Sequence, residues 1–525
     1  MKLKLLVYWF IIFSLVIFLF KPILNFYFFQ DDFYHFRMSQ AYDLLQVLKK
    51  FIPIKTAAFY HPLSRLIFYC ALPKIFMFNQ YYYHLFGLGL FLVNLVLIYY
   101  LIKKITKSDQ LSLLTSFFYG TNANHYISLT WVAAYHYLLG TFFGLISLLM
   151  FIKGLYEKKG KYLFLSFVCI LLGLLSEQMT MVIPWLIFAY ILLMVKQRKI
   201  IIIKHRWFLL SLFGIYLAYF GFRFLYIKIP QIETYQISFD LRVLKNFFWH
   251  ILWILNIPEN FKYQMVSFFK VNPEFTANFK EVNLKIWVGL VLNLSLSFLI
   301  PLALLLLDKT KGKIKDNLVL NRMLFGIIWF TISLLPAIFF PSHQYPYYLS
   351  IAGIGFLFFF LSPVSWLFEK FKSRLMLGYL IIICLVWYIT SIINFQFTNS
   401  IHWIKDRQEV SRTYIEMIKE QFPEPKPGTT IILYGAKKII KHALMNNEAA
   451  YFLYQNNNVS LDYSDFEPPK ECLEIERKRI KKIEMQANLT EIEVLYQKYQ
   501  ECLTKNKIYF LKKSSITNST LFNIN

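Results

Sequence analysis

Long apolar runs separated by short basic connections dominate the first 395 positions. A helix that crosses a bilayer needs roughly 20 mostly apolar residues, and runs of about this length recur throughout this part of the chain. The predicted spans lie near residues 5–20, 82–102, 109–120, 137–155, 162–176, 179–195, 207–227, 285–307, 323–340, 347–368 and 375–394. The pattern therefore predicts a polytopic α-helical membrane protein with about eleven transmembrane helices.

Composition and charge agree with this prediction and add an orientation. The 525 residues are 57% hydrophobic and 16% charged, and the formal net charge is +26. Most Lys and Arg residues before position 375 lie in short connections such as KKITK at 103–107 and EKKGK at 157–161. Because cytoplasmic loops are enriched in Lys and Arg, we expect a cytoplasmic N-terminus and an extracytoplasmic C-terminus. The expected location is a bacterial plasma membrane. The basic charge then indicates a cytoplasmic face, and no nucleic-acid partner is expected.

The composition changes near position 395, where charged residues become frequent. We expect a transmembrane domain over 1–395, with a long external loop at 21–80, and a small soluble extracytoplasmic α/β domain over 396–525. In the second part, the strand-like runs TTIILYGA and KIYFLKK flank a charge-rich helical stretch. Cys472 and Cys502 lie in this part, and an external placement is compatible with a disulfide between them.

One aromatic segment does not fit a simple span. Residues 246–270 are interrupted by Pro258 and Glu259, and a span here would force the basic connection DKTKGKIKD to the outside. We therefore predict an external interfacial or re-entrant element, since Trp and Tyr gather at headgroup depth.

Two adjacent acids, Asp31 and Asp32, follow the first apolar run in the stretch FFQDDFYHFRM, and Arg37 follows them. A carboxylate in a partly desolvated place can act as a general base, because burial raises its pKa. The structural alternative is a solvated loop or an N-cap of the following helix.

Four further clusters are predicted on the same outer side as the acids. They are His61 and Arg65 in YHPLSRLIFY; His125, Trp131, Tyr135 and His136 in NANHYISLTWVAAYHYLLG; Glu177 in LLSEQMTMVIPW; and His343, Tyr345 and Tyr347 in FFPSHQYPYYLS. Histidines, arginines and aromatic residues are also common interface anchors. Glu177 is harder to explain structurally, because an acid within apolar helices normally faces a polar cavity or a partner.

These residues resemble the motifs of the GT-C superfamily, the integral-membrane glycosyltransferases that use polyprenyl-phosphate sugars. The branch most similar in pattern contains the protein O-mannosyltransferases. The similar motifs are QDDFYHF after the first helix, YHPLSR in the first loop, His125 to Trp131 followed by a Leu-Leu pair, and SEQMTMVIP. The resemblance covers about residues 1–395 and implies a GT-C-like fold.

The resemblance implies transfer of a sugar, such as mannose, from a polyprenyl-phosphate donor to an extracytoplasmic protein, glycan or lipid, with inversion. Asp31 or Asp32 would be the base. The sequence departs from the family at His61, where Arg is usual, so Arg65, Arg37 or His343 would contribute to donor binding. No cofactor is required and no dedicated metal site is predicted, although the acidic pair could hold Mg²⁺ or Mn²⁺.

Three alternatives stay open at this stage. The first is a transferase or polymerase that uses lipid-pyrophosphate glycans. The second is a lipid or polysaccharide transporter, although the acids do not run through the middle of several helices and no internal repeat is visible. The third is an inactive, receptor-like relative.

Overall fold

The computed structural model describes residues 2–39, 44–49, 51–52, 60–226, 233–267, 270–310, 318–371, 373–435, 437–455 and 458–465, together with short stretches between 474 and 522. The chain is predominantly helical in these regions. Within the described ranges, strands are confined to an antiparallel pair, Met265–Ser267 and Lys270–Val271, and to a sheet formed after position 429.

Seven of the described helices are long and apolar enough to cross a membrane. They are Leu3–Asn25, Gln80–Thr106, Val132–Glu157, Lys280–Lys309, Leu318–Ile338, Pro346–Lys370 and Arg374–Ile401. A bent pair, Arg198–Lys204 and Arg206–Arg223, forms an eighth candidate, and Gly160–Ser176 and Gln178–Met194 are shorter apolar helices. The protein is therefore an integral membrane protein.

The eleven predicted spans coincide with helical structure, but several are too short to be counted as spans. Asp109–Gly120, for example, has 12 residues. The predicted number of eleven transmembrane helices is therefore not established by the described part of the chain.

Shorter helices and turns connect the long helices. The α-helical ones are Asp31–Ser39, Leu44–Lys49, Pro62–Arg65, Leu72–Phe76, Tyr126–Thr130, Leu241–Ile254, Phe261–Gln264 and Pro273–Asn278. The 3₁₀ and π turns are Leu66–Ala71, Ala123–His125, Val132–Ala134, Gln178–Val182, Glu233–Tyr235, Ser295–Leu299 and Pro346–Tyr348.

The segment predicted as interfacial or re-entrant is largely buried up to Phe261, whereas Tyr263 and Val266 are 63% and 65% exposed. Trp253 and Asn256 are fully buried, and the Leu241–Ile254 helix ends there. The Asn122 side chain donates to the carbonyl oxygens of Trp253 and Ile254 at 3.2 and 2.9 Å. The Asn124 side chain does the same for Trp253 and Ile257, both at 2.8 Å. These amide contacts replace the backbone hydrogen bonds that the broken helix loses.

The C-terminal part contains a mixed four-stranded sheet. Its order is Ser460–Asp465, Thr430–Gly435, Phe510–Lys513 and Ser519–Phe522, with the first two strands parallel and the others antiparallel. Helices Trp403–Gln421, Lys437–Ala443 and Glu448–Tyr454 accompany the sheet. The runs TTIILYGA and KIYFLKK both contribute strands, as expected. Most of the charged stretch between them, including Cys472, lies outside the described residues.

The C-terminal part packs directly on the chain that follows the first helix. Tyr27 donates its backbone N–H to the Gln408 side chain at 3.0 Å, and Ser411 donates its hydroxyl to the Phe28 carbonyl at 2.7 Å. Apolar residues of both parts belong to one continuous core. The helix Trp403–Gln421 therefore fixes the segment that leads into the acidic pair.

Candidate functional site

Asp32 is a buried carboxylate with three hydrogen-bond donors. It is 1% exposed and lies in the first turn of the helix Asp31–Ser39. It accepts from the Ala133 N–H at 2.7 Å, the Tyr69 hydroxyl at 3.1 Å and the Phe29 N–H at 3.2 Å. Burial raises its pKa to about 8, against the lowering effect of these donors. These contacts hold Asp32 in place, which suits a positioning role better than a mobile proton acceptor.

Asp31 differs from its neighbour because it is partly exposed and no donor among the described residues is hydrogen-bonded to its carboxylate. Burial raises its pKa to about 6, and the Arg407 charge opposes the rise. The preceding residue, Gln30, has φ of 50° in the left-handed region and donates its N–H to the Ala443 carbonyl at 2.8 Å. This turn begins the helix and gives the two adjacent acids different surroundings.

Two basic residues come from parts of the chain that the sequence does not connect with the acids: Arg407, whose charge acts on Asp31, and Lys262, whose charge acts on His343. The guanidinium carbon of Arg407 lies 4.4 Å from the ring centre of Trp403, and burial lowers the Arg407 pKa while Tyr345 and Asp31 raise it. Lys262 donates to the Gln344 carbonyl at 3.4 Å. The sequence places Arg407 in the predicted soluble tail and Lys262 in the aromatic segment, and no motif marks either residue.

A group of imidazole and phenol side chains surrounds His343. Its Nε2 lies 2.9 Å from the Tyr235 hydroxyl, and its Nδ1 lies 2.8 Å from the Tyr348 hydroxyl. Burial lowers the pKa of His343 to about 4, so the ring is neutral at pH 7. The Asp31 charge contributes to the raised pKa values of Tyr235 and Tyr345. The predicted cluster at 339–350 therefore faces the same region as the acidic pair.

Tyr347 extends this group toward the cluster at 122–140. Its ring stacks on Tyr345, with centroids 5.0 Å apart, and on Tyr137, with centroids 4.3 Å apart. Tyr137 in turn follows His136, whose ring is 4.3 Å from the Tyr137 ring.

His61, His136 and Glu177 meet although they are far apart in sequence. The Oε2 atom of Glu177 lies 3.0 Å from His136 Nε2 and 3.6 Å from His61 Nδ1. The two imidazole rings are stacked with centroids 4.7 Å apart. Among the described residues, this is the group of three side chains whose donor atoms converge closely enough to hold a metal ion.

Ala133 connects this histidine cluster with the acidic pair. Its N–H donates to Asp32, and its carbonyl oxygen lies 2.5 Å from His136 Nδ1. Burial lowers the pKa of His35, and the nearby Arg65 charge lowers it further. The two groups of polar side chains therefore occupy neighbouring places at one end of the helix bundle.

Other residues predicted from the sequence have structural contacts. The Arg37 guanidinium pairs with Glu448 through two contacts of 2.5 and 2.6 Å, so it is directed to the C-terminal part. Trp131 stacks on Phe29 with centroids 5.8 Å apart. Both contacts help to fix the loop that carries the acids.

His125 and Tyr135 lie within the helix packing. The His125 ring packs against Phe91 and Tyr119, with centroids 4.8 and 4.4 Å apart. The Tyr135 hydroxyl lies 2.7 Å from His84 Nδ1, and Tyr135 is fully buried. In this structure both residues contact core side chains.

The likeness of this chain to known proteins lies in its structure. No family model and no curated protein matches the chain. Among solved structures, the chain is similar to the crystal structure of the Archaeoglobus fulgidus oligosaccharyltransferase in the apo form. The TM-score is 0.43 and the sequence identity 11%, and the match covers 99% of this chain and 74% of the archaeal one.

Proposed function

We propose that this protein is a membrane glycosyltransferase that moves a sugar from a polyprenyl-phosphate donor to an extracytoplasmic acceptor. The observation that carries the proposal is Asp31, a partly exposed carboxylate with a raised pKa at one end of a membrane helix bundle. Asp31 is ionised near neutral pH and has no hydrogen-bond donor in the described part of the chain, so it is suited to accept a proton from a hydroxyl group. The motif resemblance to the GT-C superfamily supports the same reaction class.

Asp31 is the base in this proposal, and Asp32 positions it. The pKa values of about 6 and about 8 mean that Asp31 loses its proton first as the pH rises. Pairs of carboxyl groups whose surroundings separate their pKa values commonly have different roles in a reaction. Asp32 keeps its three donors throughout and fixes the helix start against Ala133 and Tyr69.

The reaction is a single displacement at the anomeric carbon of the donor. The acceptor oxygen forms a bond to this carbon, its proton passes to Asp31, and the bond to the phosphate oxygen breaks with its electron pair. Polyprenyl phosphate leaves, and the anomeric configuration inverts. Arg407 beside Asp31 and Lys262 beside the His343 group supply positive charge, which stabilises a phosphate leaving group.

The donor reaches this place from the membrane, and the acceptor reaches it from the extracytoplasmic side. Tyr235, His343 and Tyr345 form an aromatic wall beside Asp31 that can pack against a sugar ring and donate hydrogen bonds to it. Mannose is the hexose that the resemblance favours, and a protein, a glycan or a lipid can serve as acceptor.

The proposal is tested with radiolabelled donors in membranes that contain the protein. We expect transfer from a polyprenyl-phosphate hexose to an endogenous acceptor, and no transfer from membranes with matched amounts of Asp31→Asn. If the protein transfers sugar only from a lipid-pyrophosphate oligosaccharide, the proposed polyprenyl-phosphate donor is wrong. No transfer from either donor class would contradict the enzymatic function.

A further inference from the structure

The cluster of His61, His136 and Glu177 is built from three separate segments. His61 precedes the helix Pro62–Arg65, His136 lies in the first turn of Tyr135–Glu157, and Glu177 occupies the break between Gly160–Ser176 and Gln178–Val182. His61 and Glu177 are buried, and the His136 side chain is 21% exposed. Three nitrogen and oxygen ligands thus converge at one point with limited access to water.

The hydrogen bond between His136 and the Ala133 carbonyl determines which ring nitrogen of His136 is protonated. A carbonyl oxygen only accepts hydrogen bonds, so the 2.5 Å contact with Ala133 places the ring proton on Nδ1. The Nε2 atom of the neutral ring then directs its lone pair at Glu177 Oε2, 3.0 Å away. Two lone pairs at this distance repel each other unless a proton or a metal ion lies between them.

The carboxylate of Glu177 is also arranged as a ligand. Its Oε1 accepts the Met179 N–H at 3.1 Å, which fixes the orientation of the group. Its Oε2 is buried and has no hydrogen-bond donor among the described residues. Burying a carboxylate oxygen without a hydrogen-bond donor is unfavourable in free energy, and a cation bound to that oxygen compensates for it.

We propose that His61, His136 and Glu177 bind one divalent transition-metal ion of the zinc type. Two imidazole nitrogens and one carboxylate oxygen are ligands that Zn²⁺ accepts, whereas Mg²⁺ and Ca²⁺ prefer all-oxygen sites. The three ligand atoms lie within 4.8 Å of one another, and bonds of about 2.0–2.1 Å in a tetrahedral site require separations of about 3.4 Å. Because the two rings are stacked with an interplanar angle of 19°, binding requires one imidazole ring to rotate so that both nitrogen lone pairs point at the same ion.

The surroundings match those of a metal-bound histidine. Metal-ligating histidines usually donate their second ring N–H to a carbonyl or carboxylate oxygen, as His136 does to Ala133. Glu177 also lines a small cavity with Tyr137, Thr141 and Tyr347, and a water molecule from this cavity can supply the fourth ligand. A shared proton would connect only two of the three side chains, whereas a metal ion connects all three.

The bound ion would fix the loop that carries the proposed base. The metal ion would coordinate His136, and His136 donates a hydrogen bond to the Ala133 carbonyl oxygen. The Ala133 N–H in turn donates a hydrogen bond to Asp32. The cluster therefore acts as a positioning element for the acidic pair. This consequence depends on the proposed transferase function, but metal binding itself does not.

The test measures metal content on the full-length protein, purified in detergent through a tag without histidines. After chelator treatment, the protein is titrated with Zn²⁺ and washed, and bound zinc is measured by mass spectrometry. We expect about one zinc ion per chain for the wild type and at least tenfold weaker binding for Glu177→Gln and His136→Gln. Glu259→Gln is the matched control, because Glu259 is a buried acid 3.1 Å from a single histidine, His402.

Cobalt provides a second readout that needs no variant. Co²⁺ bound to this set of ligands gives visible absorption bands that Zn²⁺ competes away. A wild-type protein that binds neither ion, or variants that bind zinc as tightly as the wild type, would overturn the proposal in favour of a proton shared by His136 and Glu177. Because neither readout involves sugar transfer, these outcomes are independent of the proposed enzymatic function.

Discussion

Replacing Arg407 with glutamine should move the pH dependence of sugar transfer to higher pH. The proposed base is Asp31, whose carboxyl must be ionised to accept a proton. Burial raises the pKa of Asp31 to about 6, and the Arg407 charge opposes this rise. Removing the positive charge leaves the effect of burial unopposed, so the pKa of Asp31 rises further.

The size of the effect follows from the titration of one group. With a pKa of about 6, roughly nine tenths of the Asp31 carboxyls are ionised at pH 7 and about one tenth at pH 5. A nearby opposite charge lowers an acid's pKa by about one unit or more. Without Arg407 the ionised fraction at pH 7 falls to about one half, and at pH 6 it falls about fivefold. Above pH 9 it is complete in both proteins.

The assay is the initial rate of transfer at low donor concentration between pH 5 and 9, because kcat/KM reports groups of the free enzyme. Lys419→Gln is the control, since it removes the same charge from an exposed position of the same helix, Trp403–Gln421. We expect it to leave the midpoint unchanged. An acid limb centred near pH 4 in the wild type, or the same midpoint in Arg407→Gln, would refute the assignment.

Two further predictions concern packing. In Gly140→Ala the new methyl group would lie 2.6 Å from the Glu177 Cβ, so we expect about 1–3 kcal/mol of destabilisation by thermal denaturation in detergent. Gly214→Ala, where nothing lies within 4 Å, should cause no destabilisation, and equal melting temperatures of the two variants would contradict the close packing. Asn124→Ala removes two buried hydrogen bonds to the 253–257 segment and should cost about 1–3 kcal/mol, and an unchanged melting temperature would show that the segment does not need them.

The sequence predicted the helical framework because apolar runs of spanning length are a strong local signal. It also identified Asp31 and Asp32 as an unusual pair. It did not separate their roles, because two of the three donors to Asp32 belong to Tyr69 and Ala133, which lie 37 and 101 residues away in the chain. Adjacent residues of one type carry no signal that distinguishes them before such contacts form.

The roles of the basic residues and of the histidine cluster also depend on contacts between distant parts of the chain, which the sequence does not reveal. Arg407 belongs to a charged helix that resembles any solvated surface helix, and its position beside Asp31 follows only from packing of the C-terminal part on the first loop. His61, His136 and Glu177 were each noted as candidates. Their convergence depends on how three separate segments pack, which no periodicity or spacing in the sequence records.

The central claim is that Asp31 accepts the proton of the acceptor hydroxyl while Asp32 positions it. The most direct test is the rate of transfer from a radiolabelled polyprenyl-phosphate hexose by Asp31→Asn and Asp32→Asn at matched protein levels. We expect Asp31→Asn to lose roughly 10²–10⁴-fold of the wild-type rate at every pH, and Asp32→Asn to lose less, since its amide oxygen still accepts a hydrogen bond. A wild-type rate in Asp31→Asn would contradict the account.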